Sequence, residues 1–351
     1  MADLYIIGAG ASKNYTQSDH GIRGLVSPVD RDFFKMARRV LRNTARRADP
    51  IFLEDIEALM RSVDPSVSAD RDNFRIFNRR GFSLEAVMTQ LDIDFRLFSQ
   101  ATPAASGQGE SRESRALKDL LAITLEYALR GPVCDKHTAL ARGMKKGDIV
   151  ISFNYDILMD NALFHERKIT DSGYLMNFFM TNEYGVWNRP IDAPSDVTLL
   201  KLHGSLNWVK CGFCGVLLLY RHKKQTIPGT AGFQCPRCSS DRSMAQRLMI
   251  PPIQSKNYGD RDMAFLWVQA DQLMRDFSRI VCIGYSFSPL DFDMLTLMKR
   301  FRTRRTSAPL VDFVSPDRKA RKRLKAQLGV EEVRTFDNLP AYLKESRQEK
   351  G

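Results

Sequence analysis

The sequence predicts an α/β fold: a Rossmann-like, doubly wound parallel sheet with a helical insertion and a small four-cysteine zinc ribbon. Three observations predict it: short β-rich apolar runs alternate with helical segments, a long helical stretch follows the first strand, and two Cys-x-x-Cys pairs lie close together. Alternating strands and helices are typical of parallel sheets, because each parallel connection needs a crossover, usually a helix. The 351 residues suffice for one large domain with insertions, 1–351.

The predicted strands are short apolar runs that end in small or polar residues, as buried strands of parallel sheets do. They read LYIIG, DIVISF, VTLLKLHG, RIVCIG, APLVDFVS and EEVRTF along the chain. The basic sequence PDRKARKRLKAQLG separates the last two strands and is predicted to be a helix. Residues 317–351 therefore form a basic C-terminal helix and tail.

Residues 36–146 are predicted to form the helical insertion. From Ser83 onward, and again over 114–129, leucines and other apolar residues recur at i, i+3 and i+4, which indicates helices with one buried face. Between these helices, the stretch ATPAASGQGESRE (101–113) lacks large apolar residues and is predicted to be a mobile loop.

Composition restricts where the protein works. No apolar run approaches the roughly 20 residues that span a bilayer, and the N-terminus lacks a secretory pattern, so a cytoplasmic protein without a membrane partner is expected. The net charge of +12 is concentrated in residues 299–325, with eleven Lys or Arg against two Asp. That segment could bind nucleic acid or an acidic protein, or it could be a solvated helix face.

Four of the six cysteines are predicted to hold a metal. Cys211 and Cys214 form one Cys-x-x-Cys pair, and Cys235 and Cys238 form a second pair 20 residues later. Without an export signal, this spacing favours a metal over disulfides. Four thiolates give a closed tetrahedral Zn²⁺ site, so the ribbon (207–245) is predicted to be structural, with iron as the competing metal.

The first strand runs into the turn GAGAS, which contains Gly8, Gly10 and Ser12. A strand, a Gly-x-Gly turn and a helix place backbone N–H groups beside a phosphate in dinucleotide-binding folds. The third glycine of that fingerprint is absent because Lys13 follows Ser12. A tight structural turn is the alternative interpretation.

Polar residues follow three more predicted strands. Asn154 and Asp156 lie in SFNYD, His203 lies in KLHGS, and Gly284 and Ser286 lie in IGYSF. Ligands of open α/β sheets bind at the carboxyl ends of the strands, and histidine can transfer protons near neutral pH. The alternatives are helix caps for the Asn, Asp and Ser residues and a structural hydrogen-bonding role for the histidine.

The order of these pieces resembles the sirtuin family: a GAGxS turn, an xxNxD strand end, an LHG strand end, a four-cysteine ribbon and a GxS strand end. FNYD and SPVDRDFF resemble its bacterial branch, many members of which hydrolyse NAD in antiphage defence. The resemblance implies NAD as substrate and structural Zn²⁺. By this resemblance, Gly8, Ala9 and Gly10 would hold the pyrophosphate, with Ser12 beside it. Asn154 would lie at the nicotinamide ribose and Asp156 at the carboxamide, and His203 would be the general base. Gly284 and Ser286 would contact the adenosine ribose.

Three departures from the sirtuin pattern bear on the reaction. Phe153 stands where deacylases carry Gln, and Asp32, Phe33 and Phe34 are the nearest equivalent of an expected Asp-Phe-Arg run. After the ribbon, the chain reads LMIPPIQ, and its two prolines cannot donate N–H groups to a peptide strand. These departures favour water over an acyl-lysine as the acceptor.

We therefore expect an NAD⁺ hydrolase that yields nicotinamide and ADP-ribose, acting in bacterial antiphage defence by depleting NAD. The alternatives are an NAD-dependent protein-lysine deacylase and a non-catalytic NAD- or nucleic-acid-binding subunit. By the same resemblance, the protein is expected to form homo-oligomers, with a HerA-type ATPase as a partner.

Overall fold

The structure of the chain is a computed structural model. It describes residues 2–13, 15–19, 21–44, 50–64, 77, 83–95, 97, 111–181, 187–188, 193–220, 234–240, 245–250, 260–274, 277–289 and 291–348. Most of the predicted loop, residues 101–110, lies outside these ranges, but Arg112 and Glu113 at its end are helical.

Eleven strands and eleven α-helices lie within the described residues. The strands are β1 (Asp3–Ile7), β2 (Ile149–Ser152), β3 (Phe178–Thr181), β4 (Trp187–Asn188), β5 (Thr198–Lys201), β6 (Gly204–Cys211), β7 (Leu217–Leu219), β8 (Ala245–Met249), β9 (Arg279–Ile283), β10 (Leu310–Val314) and β11 (Arg334–Phe336). The helices are α1 (Ala9–Ser12), α2 (Phe33–Thr44), α3 (Pro50–Val63), α4 (Leu84–Asp94), α5 (Arg112–Ala128), α6 (Asp135–Gly143), α7 (Leu158–His165), α8 (Arg261–Leu273), α9 (Phe292–Arg304), α10 (Arg318–Leu328) and α11 (Leu339–Gln348).

Six strands form a parallel sheet in the order β11-β10-β9-β1-β2-β5, which confirms the predicted fold class. The chain builds outward from β1 to β2 and β5 on one side, and later returns to place β9, β10 and β11 on the other. The strand order therefore reverses at β1, and ligands of open parallel sheets bind at such a reversal, beyond the carboxyl ends of the strands.

A second sheet, in the order β4-β3-β7-β6-β8, carries the cysteine region. Trp208, at the start of the predicted ribbon (207–245), packs in one core with Tyr174 and Phe178 and with the parallel sheet. A smaller apolar cluster that includes Val209, Cys211 and Leu218 lies around the metal ligands themselves.

The chain divides into two compact units. One contains residues 1–17, 131–250 and 257–351, and the other contains residues 18–130 and 251–256. The helical unit thus differs at both ends from the predicted insertion, 36–146: α6 packs against α7 and α11 of the first unit, which places 131–146 with the parallel sheet. Within the helical unit, α5 packs against α2, α3 and α4.

None of the helices within the described residues is long and apolar enough to cross a membrane.

Candidate functional site

The glycine turn after β1 is packed against the end of β9. The Gly8 N–H donates to the carbonyl of Ile283 at 3.0 Å, and the Gly10 N–H donates to that of Gly284 at 2.9 Å. A Cβ on Gly10 would lie 2.8 Å from the Gly284 Cα, so close backbone contact alone requires glycine here. The two glycine amides are thus engaged within the chain, and a pyrophosphate site at Gly8, Ala9 and Gly10 stays a prediction.

Ser12, Asn154 and Asp156 meet in a buried polar group, which we call the amide cluster. The Ser12 hydroxyl donates to Asp156 Oδ2 at 2.5 Å, and Asn154 Nδ2 donates to Ser12 Oγ at 3.1 Å. Asp156 Oδ1 accepts the N–H of Leu158 at 3.1 Å, at the start of α7. Asp156 therefore combines the predicted helix-start contact with a place beside Ser12.

Asn154 has a polar atom without a partner. Its side chain is buried, and Oδ1 accepts no hydrogen bond from any residue that the structure describes. Leaving a buried acceptor unpaired costs about 1–3 kcal/mol. A helix cap does not account for Asn154, because its amide is directed to Ser12 rather than to the first N–H groups of α7. A buried, unpaired acceptor therefore lies inside the amide cluster.

His203 lies between β5 and β6, and its side chain is only 7% exposed. The Phe153 ring meets the imidazole edge-to-face with centroids 5.0 Å apart, and the Tyr155 ring lies 6.4 Å away. The His203 carbonyl accepts the N–H of Ile250 at 2.9 Å, which anchors its backbone. His203 is therefore enclosed by aromatic side chains.

The segment from Phe153 to Asp156 connects the amide cluster with His203. Phe153 and Tyr155 contact the imidazole, while Asn154 between them points to Ser12. The Leu206 N–H fixes the segment by donating to the Tyr155 carbonyl at 2.9 Å. Successive residues of this segment thus alternate between an aromatic side and a polar side.

Sequence reasoning missed Asp291 and Tyr285. Asp291 precedes α9, and its Oδ2 lies 3.9 Å from His203 Nε2 while accepting the Tyr285 hydroxyl at 2.5 Å. Asp291 stands at the N-cap position of α9, yet its side chain makes no cap hydrogen bond. No local spacing pattern connects Asp291 with a histidine so far away in sequence.

A buried ion pair lies behind the amide cluster. The Lys201 ammonium is fully buried and donates to Asp160 Oδ2 at 2.9 Å and to the Asp156 carbonyl at 2.5 Å. The Tyr174 hydroxyl donates to the other oxygen of Asp160 at 2.8 Å. A lysine inside the apolar run TLLKL was the available signal, since a buried lysine requires a partner.

The predicted adenosine-ribose residues follow β9. Gly284 has a φ of +62°, which favours glycine. Ser286 is exposed, and its carbonyl accepts Arg323 Nη2 at 2.8 Å. Their contact with a ribose stays a prediction.

The four cysteines form the predicted metal site, with every pair of sulfur atoms within 4.8 Å. Two Sγ–Sγ distances are 3.7 Å (Cys211 to Cys238) and 3.6 Å (Cys214 to Cys235). Tetrahedral Zn²⁺ with bonds of about 2.3 Å requires sulfurs about 3.8 Å apart, so the geometry fits zinc. The Ser240 hydroxyl lowers the pKa of Cys238 to about 6, which favours a thiolate, whereas burial raises the pKa of Cys214 to about 12. A bound Zn²⁺ would deprotonate such thiols.

We expect Cys238→Ser to reduce bound zinc from about one ion per chain to well below that and to lower the melting temperature, because structural zinc sites contribute folding energy directly. Elemental analysis and thermal unfolding measure the two effects. Cys282→Ala is the matched control, since that thiol is buried in β9 away from the cluster and its loss should leave the zinc content unchanged. Full zinc content in the Cys238→Ser protein would contradict the assignment.

The basic segment 299–325 is only partly available to a partner. Six of its eleven cations contact acceptors of the same chain: Arg300 and Arg304 at Asp271, Arg302 at the Ala326 carbonyl, Arg305 at the Leu328 carbonyl, Arg321 at Thr335, and Arg323 at Ser286. The two arginines lower the pKa of Asp271 to about 2, Arg300 most strongly. The remaining five cations are Lys299, Arg318, Lys319, Lys322 and Lys325, four of them on α10.

The contacts described for Asp32, Phe33 and Phe34 lie within the helical unit. Asp32 Oδ1 accepts the Val29 N–H at 2.6 Å, and the Phe34 ring stacks on Phe77 with centroids 5.1 Å apart. Phe33 is buried beside Phe34. Pro251 and Pro252 lie outside the described residues.

No protein-family model and no curated protein sequence matches the chain. Among solved structures, it is similar to a Sir2 homologue in complex with NAD, at 14% identity and a TM-score of 0.47, covering 99% of this chain and 88% of that one. It is also similar to a mutant Sir2 homologue in complex with 2′-O-acetyl-ADP-ribose, at 14% identity and a TM-score of 0.45, covering 99% and 92%. These TM-scores lie below 0.5, so the likeness establishes neither activity nor substrate.

Proposed function

We propose that the protein hydrolyses NAD⁺ at the nicotinamide–ribose bond, releasing nicotinamide and ADP-ribose. One observation carries the proposal: the unpaired, buried Oδ1 of Asn154, at the carboxyl ends of the parallel strands where their order reverses. An amide oxygen there can accept a ribose hydroxyl. The order of the GAG turn, the strand ends and the cysteine pairs supports NAD as the ligand.

In the proposed reaction, the C1′–N bond breaks and its electron pair goes to nicotinamide, which leaves as a neutral base. A water oxygen bonds to C1′, and His203 takes the water proton as general base. Asn154 holds the ribose, while Ser12 and Asp156 complete the polar side of the site. Atoms balance as NAD⁺ plus water giving nicotinamide, ADP-ribose and a proton.

Two observations favour water over an acyl-lysine peptide as the acceptor. The His203 side chain is 7% exposed and meets the Phe153 ring edge-to-face, so there is little room beside the imidazole for an acyl-lysine side chain. The Ile250 N–H already donates to the His203 carbonyl at 2.9 Å, and the two prolines after Ile250 have no N–H to donate. Strand pairing with a peptide at residues 250–252 would therefore lack donors.

The test is a time course of NAD with the purified full chain, with and without an acetyl-lysine peptide, following nicotinamide and ADP-ribose by chromatography. We expect nicotinamide release at the same rate in both arms. If nicotinamide release requires the peptide and matches its deacetylation, the protein is a deacylase and not a hydrolase. Bound but intact NAD would support the non-catalytic alternative.

Asn154→Ala is expected to slow nicotinamide release at least about tenfold while changing the free energy of unfolding by less than about 1 kcal/mol, because the unpaired Oδ1 serves the substrate rather than the fold. Initial rates and urea denaturation measure the two effects. A variant that loses stability but keeps its rate would identify Asn154 as a structural residue.

We also propose α10 as the place where nucleic acid would bind, supported by four cations there that have no partner among the described residues. Binding that weakens steeply with salt, and that is lost when these four residues are replaced by Gln, would support it. Homo-oligomers, a HerA-type partner and a role in antiphage defence remain proposals from the sequence resemblance.

A further inference from the structure

We propose that Asp291 is the positioning carboxylate of His203 and that Tyr285 holds Asp291 in place. This inference rests on the proposed function, because it names the group that supports the general base of that reaction.

Asp291 is fixed from several directions. The Tyr285 hydroxyl donates to its Oδ2 at 2.5 Å, its N–H donates to the Ser288 carbonyl at 3.1 Å, and its own carbonyl accepts the Leu295 N–H at 3.0 Å. The side chain is 11% exposed. A residue at the start of a helix ordinarily caps its N–H groups, but the Asp291 carboxylate does not cap α9. It is directed instead to Tyr285 and His203.

The carboxylate lies close to one nitrogen of the imidazole. Asp291 Oδ2 is 3.9 Å from His203 Nε2, which is longer than a hydrogen bond but within the range of an ion pair. Catalytic hydrogen bonds are often long in structures without substrate and tighten when the substrate binds. A movement of about 1 Å would produce a direct Nε2–H to Oδ2 bond.

The aromatic residues around the pair limit how it can move. Phe153 stacks on Tyr285, with ring centroids 4.5 Å apart, and meets His203 edge-to-face. Phe287 also packs against Tyr285 in an edge-to-face arrangement, with centroids 4.7 Å apart. Tyr285 thus contacts two rings, and its hydroxyl holds Asp291 near the imidazole.

Asp291 brings a negative charge to the border of His203, 3.9 Å from Nε2. Burial, and then Asp291, raise the pKa of Tyr285 well above its ordinary value, and burial raises the pKa of Tyr155 in the same way, so both phenols stay neutral. Asp293 lies two residues further along, within α9, and acts on Tyr285 only through space. Neutral phenols donate hydrogen bonds but do not offset a cation, so of these three neighbours Asp291 is the one that can stabilise a protonated His203.

In the hydrolysis, a proton moves from water to the imidazole as the oxygen bonds to C1′ and nicotinamide departs. The imidazolium that forms is stabilised by the ionised Asp291, which takes no proton itself. Asp291 also keeps Nε2 turned toward itself, which sets the orientation of the ring. It touches no substrate atom and acts only through His203.

The experiment compares Asp291→Asn with the unaltered chain across pH. We expect kcat to fall at least about tenfold with little change in KM, and the acidic limb of the pH–rate profile to move to lower pH, because the imidazolium loses its counter-charge. Tyr285→Phe, which keeps the ring but removes the donor to Asp291, should give a smaller fall. Asp293→Asn is the matched control and should keep the unaltered rate and profile.

The pH titration of the His203 imidazole, followed by NMR and assigned with His203→Gln, needs no turnover. A titration midpoint that moves to lower pH in the Asp291→Asn protein supports the inference, whether or not NAD is hydrolysed. The absence of NAD hydrolysis would overturn the proposed function alone. An unchanged midpoint and an unchanged kcat in the Asp291→Asn protein overturn the inference and leave hydrolysis standing. If Asp291→Asn does not fold, kcat and the His203 titration midpoint are measured in Tyr285→Phe instead. If neither kcat nor the midpoint changes in that protein, the inference is overturned.

Discussion

His203→Ala is expected to release nicotinamide from NAD about 10²- to 10⁴-fold more slowly than the unaltered protein, which is the usual contribution of a positioned general base. Without the imidazole, no group that we identified beside the attacking water can take its proton. Affinity for NAD should change little, because Asn154 and Ser12, not His203, are proposed to bind the ribose. Single-turnover rates and isothermal titration with NAD separate the two effects.

The chain offers a matched control for this substitution. His165 ends α7 with a side chain 56% exposed, paired with Glu166 at 3.3 Å. His165→Ala should therefore keep the rate of the unaltered protein. Because His203 is buried, His203→Gln belongs beside His203→Ala, since it retains volume and hydrogen-bonding capacity but cannot act as a base near neutral pH. An unchanged rate in both His203 variants would remove His203 from the reaction.

The second large effect is expected in stability. Lys201→Met should lower the free energy of unfolding by about 3–5 kcal/mol, because it leaves the Asp160 carboxylate buried with Tyr174 as its one remaining side-chain partner among the described residues. The Asp156 carbonyl would lose its Lys201 donor as well, so the amide cluster should also be disturbed. Urea denaturation measures the loss, and the rate of NAD hydrolysis reports the damage to the site.

Two further variants test the reason for that loss. Adding Asp160→Asn to Lys201→Met removes the stranded charge and should recover part of the stability. Lys210 makes a comparable pair with Asp260 and Asp262 at 2.7 and 2.8 Å, but its side chain is 21% exposed. Lys210→Met should cost less than about 1 kcal/mol, as surface pairs do. Equal losses at Lys201 and Lys210 would contradict the role of burial.

The parallel sheet could be predicted because its strands read as continuous apolar runs; in β2, for example, all four residues are buried. The second sheet could not be predicted in this way. Its longest strand, β6, buries Ser205 and Asn207, whose side chains hydrogen-bond to each other at 2.6 Å, so the sequence shows no apolar run there. Pairing with β7 and β8 depends on contacts between separate segments, which local propensity does not encode.

Candidate residues could be found in the sequence where they lie two positions beyond a strand, as Asn154 and His203 do. The sequence did not reveal how deeply His203 is buried, since Phe153 and Tyr155 enclose it from a different strand end. Asp291 and Lys201 were missed for a related reason. Their partners, His203 and Asp160, lie far away in the chain, and only the fold brings such charges together.

The alternation at Phe153, Asn154 and Tyr155 has a consequence for how this segment can vary in length. Inserting or deleting one residue between Ser152 and Asp156 would exchange the two sides, directing an aromatic ring toward Ser12 and an amide toward His203. Point substitutions would damage one side at a time, whereas a change in length would damage both. The spacing of these residues is therefore as much a part of the site as their identities.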